Sequence, residues 1–175
     1  MLLIPIRVLT AGLLILIHGD GSDAYWGWRS HNDTCQSDWM HYSGSCYKLI
    51  KIKQTWTKAQ EVCEELGANL ATISNSMENG AVSALLPCSS IDSQGWFGLN
   101  DHVDDGHFVW FDTKKNVSWT NWGTSPELEP NNWPTYRKGT EDCVTLRPDG
   151  YWNDRSCDVR EMFICESPLQ VASGL

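Results

Sequence analysis

The sequence predicts a disulfide-stapled α+β domain, with two helices flanking short antiparallel sheets. Three observations predict it. Two segments carry apolar residues at helical spacing, and several brief runs between and after them read as strands. Seven cysteines follow an apolar N-terminal run, the pattern of a chain that folds in an oxidising compartment. Ten tryptophans in 175 residues supply large rings whose indole N–H groups each need an acceptor, which suits a loop-rich fold packed on aromatic plates.

The elements follow in chain order. Residues 8–17 form an apolar run behind Arg7, with small and polar residues to Ala24, so 1–24 reads as a secretory signal peptide cleaved between 19 and 24. A membrane span needs about 20 apolar residues. Pro5 and Arg7 interrupt any longer run, and no second one follows, so the expectation is a secreted, extracellular protein without membrane insertion. Residues 25–34 are a short polar and aromatic segment holding the sequon Asn32-Asp33-Thr34. A second sequon is Asn116-Val117-Ser118, which makes Asn32 and Asn116 the N-glycosylation candidates. Lys48–Lys53 alternates, with Ile50 and Ile52 opposite Lys51 and Lys53, as in a strand with one wet face. Thr57-Lys58-Ala59-Gln60 reads as a capping box leading a helix with Trp56, Ala59, Cys63 and Leu66 on one face, and Gly67 is placed to end it. Ser76–Leu86 is a second helix with a softer pattern and a helix-weakening Gly80 inside. Strands are expected at 95–99, 107–111, 142–146, 151–154 and 162–166, with Phe108 and Trp110 on one side of theirs. Residues 112–141 are mostly irregular, and a loop of that length in a small domain is usually functional or disordered.

The net charge of −9 argues against nucleic acid and anionic membranes as partners and suits a cation-binding surface. The long loop and the strands after it hold three acid/amide motifs: Glu129-Pro130-Asn131, Glu141-Asp142-Cys143 and Trp152-Asn153-Asp154, with Cys143 and Cys157 bracketing the last two. Hard side-chain oxygens gathered on short, tied loops are what calcium requires, since it takes six to eight oxygen ligands at about 2.3–2.6 Å.

These motifs, in this order, resemble the C-type lectin-like domain from about Cys35 to Glu166. Tyr42-Ser43-Gly44-Ser45-Cys46-Tyr47 resembles its first strand, Trp56, Ala59 and Cys63 its first helix, Trp96-Phe97-Gly98-Leu99 its core motif, and Phe163-Ile164-Cys165-Glu166 its closing strand. The resemblance implies a C-type lectin-like fold with a long calcium-binding loop, a domain at 35–167 and a tail at 168–175. It also implies the disulfides Cys35–Cys46, Cys63–Cys165 and Cys143–Cys157. Cys88 is left over, as an interchain bridge in a disulfide-linked homodimer or as a buried or capped thiol.

Carried over residue by residue, the resemblance names Glu129, Asn131, Glu141, Asn153 and Asp154 as ligands of a principal calcium ion. Asp101, Asp105, Asn132 and Asp142 would form a second site, with Asn132 standing where the family usually has Asp. Glu129, Asn131, Glu141 and Asn153 would also grip two sugar hydroxyls, amides donating and carboxylates accepting. Glu-Pro-Asn implies mannose-type sugars with equatorial 3- and 4-hydroxyls. Trp133 stands where galactose-binding members place a stacking tryptophan, which keeps a galactose-binding lectin open as an alternative. The implied partners are glycans or glycoproteins; a lectin-like module that binds a protein ligand is the other alternative. Catalysis is not expected. Carboxylates committed to a metal stay ionised, no nucleophile motif appears, and His18, His31, His41, His102 and His107 show no zinc spacing.

Overall fold

The first element is a hairpin: Met40–Tyr42 (β1) turns through Ser43-Gly44 into Ser45–Gln54 (β2), with Tyr42 opposite Ser45. A computed structural model of the chain describes residues 34–90, 93–125, 128–132 and 140–170; the expected signal peptide, Asn32, Trp133 and the end of the tail lie outside them. His31–Leu175 make one compact unit. β2 is longer than the alternation suggested, and its outer part is wet on both faces. It pairs with the last strand from Ser45 to Ile50, then the register shifts before Gln54, and Ile52 stands in the lapse, 69% exposed.

Helix α1 (Trp56–Glu65) starts two residues earlier than the capping-box reading placed it. Thr55, not Thr57, is the N-cap and accepts from Lys58 N at 3.4 Å. The reason is Trp56: its ring is buried and its Nε1 donates to Phe97 O at 2.9 Å, which fixes it in the first turn. Ala59, Gln60 and Cys63 share that face, while Leu66 is the C-cap and is exposed, contrary to the sequence pattern. Gly67 follows at φ +70, as the pattern required. Buried Gln60 donates to Asn69 Oδ1 and accepts from Leu70 N, joining α1 to the short strand Asn69–Leu70 (β3).

Helix α2 (Ser76–Ser83) begins at Asn75, whose side chain accepts from Met77 N and Glu78 N. It is shorter than expected because Leu85 N and Leu86 N close tighter turns onto Val82 O and Ser83 O. Its pattern is soft because two of its three buried residues, Asn79 and Ser83, are polar. At its start Glu78 accepts from the Tyr47 hydroxyl at 2.7 Å, and burial beside Glu166 and Glu78 holds that phenol far above its ordinary pKa.

The remaining strands are Gly95–Asn100 (β4), Val109–Trp110 (β5), Cys143–Leu146 (β6), Trp152–Arg155 (β7) and Glu161–Pro168 (β8). β5 is a remnant of the expected 107–111 strand, although Phe108 and Trp110 are both buried as the alternation required. In place of separate antiparallel sheets, the strands form one hydrogen-bonded path, β1-β2-β8-β4-β6-β7, with β3 on β8 and β5 on β4. The β4–β8 pair is parallel. β4 is buried throughout, and Gly98 is required there. A Cβ on it would lie 2.9 Å from Leu70 O and 3.2 Å from Ala71 O.

The core has two parts. One gathers around Trp152, against which Phe97, Trp110, Trp119 and Trp122 pack at centroid distances of 5.0 to 6.3 Å. The other holds Trp56, Trp96, Phe163 and the Cys63–Cys165 disulfide. Cys35–Cys46 and Cys143–Cys157 form as well, and Cys88 is free and exposed.

Candidate calcium and carbohydrate site

The site is assembled at the β7 edge. Trp152 N donates to Asn121 O, Gly123 N donates to Trp152 O, and Glu129 N donates to Gly123 O at 2.9 Å. The returning loop is thus laid along β7 and delivers Glu129 to the turn that follows. The Glu129–Pro130 peptide bond is cis. Beyond it, Asn131 N donates to Asp154 Oδ1 at 3.1 Å and Asn132 N to Asp154 Oδ2 at 2.7 Å. Asp154 is nearly fully buried on β7, so one carboxylate holds the whole Glu-Pro-Asn turn against the strand.

Asn153 precedes it and donates from Nδ2 to Asp154 O at 2.8 Å, which fixes the amide. Glu141 enters from the other side, its N donating to Asn132 Oδ1 at 3.0 Å. Asp142 O accepts from Asp101 N, and Asn132 Nδ2 donates to Asp105 Oδ1 at 2.7 Å. All nine expected metal-site residues are therefore linked into one neighbourhood; Trp133, the remaining sugar-site residue, falls outside the described residues. Asp101, Asp105, Asn132 and Asp154 line a cleft of about 230 Å³ together with Gly106, Phe108 and Pro130. Asp154, assigned from the sequence to the principal ion alone, faces both candidate sites.

The donor chemistry of the principal site fits a hard cation. Every expected side-chain ligand offers oxygen. Asp101 is 5% exposed; its Oδ2 accepts from Gly106 N at 2.8 Å, while Oδ1 accepts no hydrogen bond among the described residues. Burial, with Asp142 and Asp105 nearby, raises its carboxyl above the ordinary value. The folded state then holds this proton more tightly than the unfolded chain does. Ionising Asp101 therefore costs stability as pH climbs from the ordinary carboxylate range through the raised value.

Three supporting residues escaped the sequence reading. Asn79 on α2 accepts from Trp152 Nε1 at 2.7 Å and donates to Gly150 O at 2.8 Å, so it seats the tryptophan that precedes the two expected ligands on β7. The only signal was an amide on an otherwise inward helix face. Asn79→Ala strands the buried indole N–H, and a loss of about 1–3 kcal/mol is expected by chemical denaturation, because Gly150 O keeps its bond from Asn121. Arg147 is buried under the loop, donating to Asp149 Oδ2 at 2.7 Å and to Ser125 O at 3.4 Å. His102 packs edge-on to Trp56 with Nε2 3.5 Å from both sulfurs of Cys143–Cys157. Those cysteines are oxidised to each other, so the trio is no thiolate metal site.

Comparison with known proteins agrees with this construction. A family profile described as "Lectin C-type domain" matches residues 52–167. Lectin BRA-3 of Megabalanus rosa is 32% identical over 137 residues, covering 75% of this chain and 76% of that protein. The human C-type mannose receptor 2 is 31% identical over 84% of this chain, but the match spans only 9% of the receptor. Among solved structures, the mouse scavenger receptor C-type lectin carbohydrate-recognition domain superposes with a TM-score of 0.70 at 27% identity, covering 78% of this chain and all of that domain (100%). The same fold recurs in the herring type II antifreeze protein, at TM-score 0.65 and 28% identity over 78% of this chain and 100% of that one. Lectins and receptors, not enzymes, dominate these likenesses, and the chain belongs to the C-type lectin domain family.

Proposed function

We propose that this protein is a secreted lectin that binds mannose-type sugars in a calcium-dependent manner through Glu129, Asn131, Glu141, Asn153 and Asp154. The observation that carries this reading is the Asp154 clamp. Its carboxylate holds the Glu129-Pro130-Asn131 turn beside Asn153, which gathers the amides and carboxylates expected to bind the ion into one neighbourhood. When bound, calcium supplies a Lewis-acidic centre for two neighbouring hydroxyl oxygens. The amides of Asn131 and Asn153 would donate hydrogen bonds to those oxygens, and the carboxylates of Glu129 and Glu141 would accept hydrogen bonds from the hydroxyls. The Glu-Pro-Asn pattern supports mannose-type selectivity. So does a related solved domain, that of cow CD23, studied in the presence of a GlcNAc2Man3 oligosaccharide.

An open site of this kind buries few ligand atoms, and single-site affinity is expected at roughly millimolar. Useful avidity then comes from presenting several sites together. The exposed thiol of Cys88 offers a link between two chains for that purpose, read out as a reducible dimer band on a gel. A galactose-binding lectin is the second reading, favoured by Trp133 in the loop after Asn131.

The test is retention on mannose- and galactose-agarose in calcium. Release from mannose by a chelator is the expected result; chelator-sensitive retention on galactose alone selects the second reading, and no retention on either resin removes both. Acid should act like the chelator. Protons compete with calcium for the ligand carboxylates, so retention should weaken as the solution acidifies, and retention unchanged down to about pH 4 contradicts the proposal.

A further inference from the structure

We infer that Asn132 does in this chain the work of a second cation: its side chain fastens the 101–106 loop to the loops at 129–132 and 141, and the domain takes up one calcium ion instead of two. The single-ion count rests on the calcium reading above, whereas the clamp itself does not.

Asn132 sits in the left-handed region at φ +46, a conformation that asparagine tolerates better than most side chains. From there it makes three bonds to three segments. Its Nδ2 donates to Asp105 Oδ1 at 2.7 Å, its Oδ1 accepts from Glu141 N at 3.0 Å, and its backbone N donates to Asp154 Oδ2 at 2.7 Å. An amide has a donor at one end and an acceptor at the other, and here both ends are used. A cation in the cleft would need those oxygens for itself. Calcium takes six to eight of them. In this cleft Asp105 Oδ1 and Asn132 Oδ1 are both engaged by the bridge, and the Asn132 NH2 group is turned to the Asp105 carboxylate as a donor where a cation would need an acceptor.

A carboxylate at this position would reverse the balance. It could accept from Glu141 N but could offer Asp105 nothing, and it would add a fourth acid to Asp101, Asp105 and Asp154 around the cleft. Such a cleft needs a cation to close. Asparagine closes it alone.

The experiment titrates calcium chloride into the wild-type chain and Asn132→Asp, by calorimetry and native mass spectrometry, and melts both in chelator. One ion per wild-type chain, two per Asn132→Asp chain, and a lower melting temperature for Asn132→Asp in chelator that calcium restores are the expected results. Two ions bound by the wild type, or equal melting temperatures in chelator, overturn the inference. Asn132→Ala, which removes the bridge without adding charge, should also melt below wild type in chelator, and its failure to do so counts against the clamp. If the wild type binds no calcium while both variants still melt lower in chelator, the clamp stands and the lectin reading fails.

Discussion

Asp154→Asn is expected to abolish retention on sugar resin and to weaken calcium uptake by at least about 100-fold while leaving a folded domain. The carboxylate carries three burdens at once. It supplies one of the formal negative charges expected to hold the ion, and it accepts the N–H groups of both Asn131 and Asn132. An amide of the same shape keeps one acceptor but turns an NH2 group toward the second backbone N–H, so the Glu-Pro-Asn turn loses half its anchorage. Burial makes the loss worse, because neither group can turn to water. Isothermal titration with calcium and then with mannose separates the two losses. Wild-type affinity for both would remove Asp154 from the site.

The second large effect concerns stability. Replacing Cys63 and Cys165 together by alanine should cost about 4–5 kcal/mol through the freed chain alone, because the bond closes a loop of 102 residues. The bridge joins α1 to β8 inside the part of the core built on Trp56, Trp96 and Phe163, so some packing is lost as well. For a domain of this size each kcal/mol is worth about 2–4 °C, and a fall of more than about 10 °C in Tm is expected. Removing Cys35–Cys46 or Cys143–Cys157, which close separations of 11 and 14 residues, should each cost less, at about 3 kcal/mol. A melting temperature within a few degrees of wild type for the long bridge would show that the unfolded chain is already held compact by other means. Calorimetry on the three double variants ranks them directly.

What could be read in the sequence was what local chemistry fixes. Gly67 ends α1, the apolar run at Gly95–Asn100 is a buried strand, and the three acid/amide motifs lie in one neighbourhood, because each depends on residue type and spacing. What escaped depends on distant partners. β1 and β3 are too short to show a period and exist because β2 and β8 offer them a ladder. Thr55 caps α1 because Phe97 O claims the Trp56 indole, a contact across 41 positions. Ile52 reads as one face of a strand, yet the ladder lapses beside it. At the site, residue types named the acids and amides, but spacing alone could not tell that the Asn132 amide would be engaged at both ends, or that Asp154 would serve two neighbours.

The pairing of β2 with β8 sets the chain's first and last described stretches side by side, and an antiparallel bridge joins Thr34 to Gln170 beyond them. In the strand order both lie toward β1, while β6 and β7 with their loop ligands occupy the opposite margin. Polypeptide entering the domain and polypeptide leaving it therefore share one doorway, remote in the sheet from the recognising rim. A stalk, a tether or a second module joined beside Thr34 or Gln170 would not crowd the groups proposed to meet the sugar.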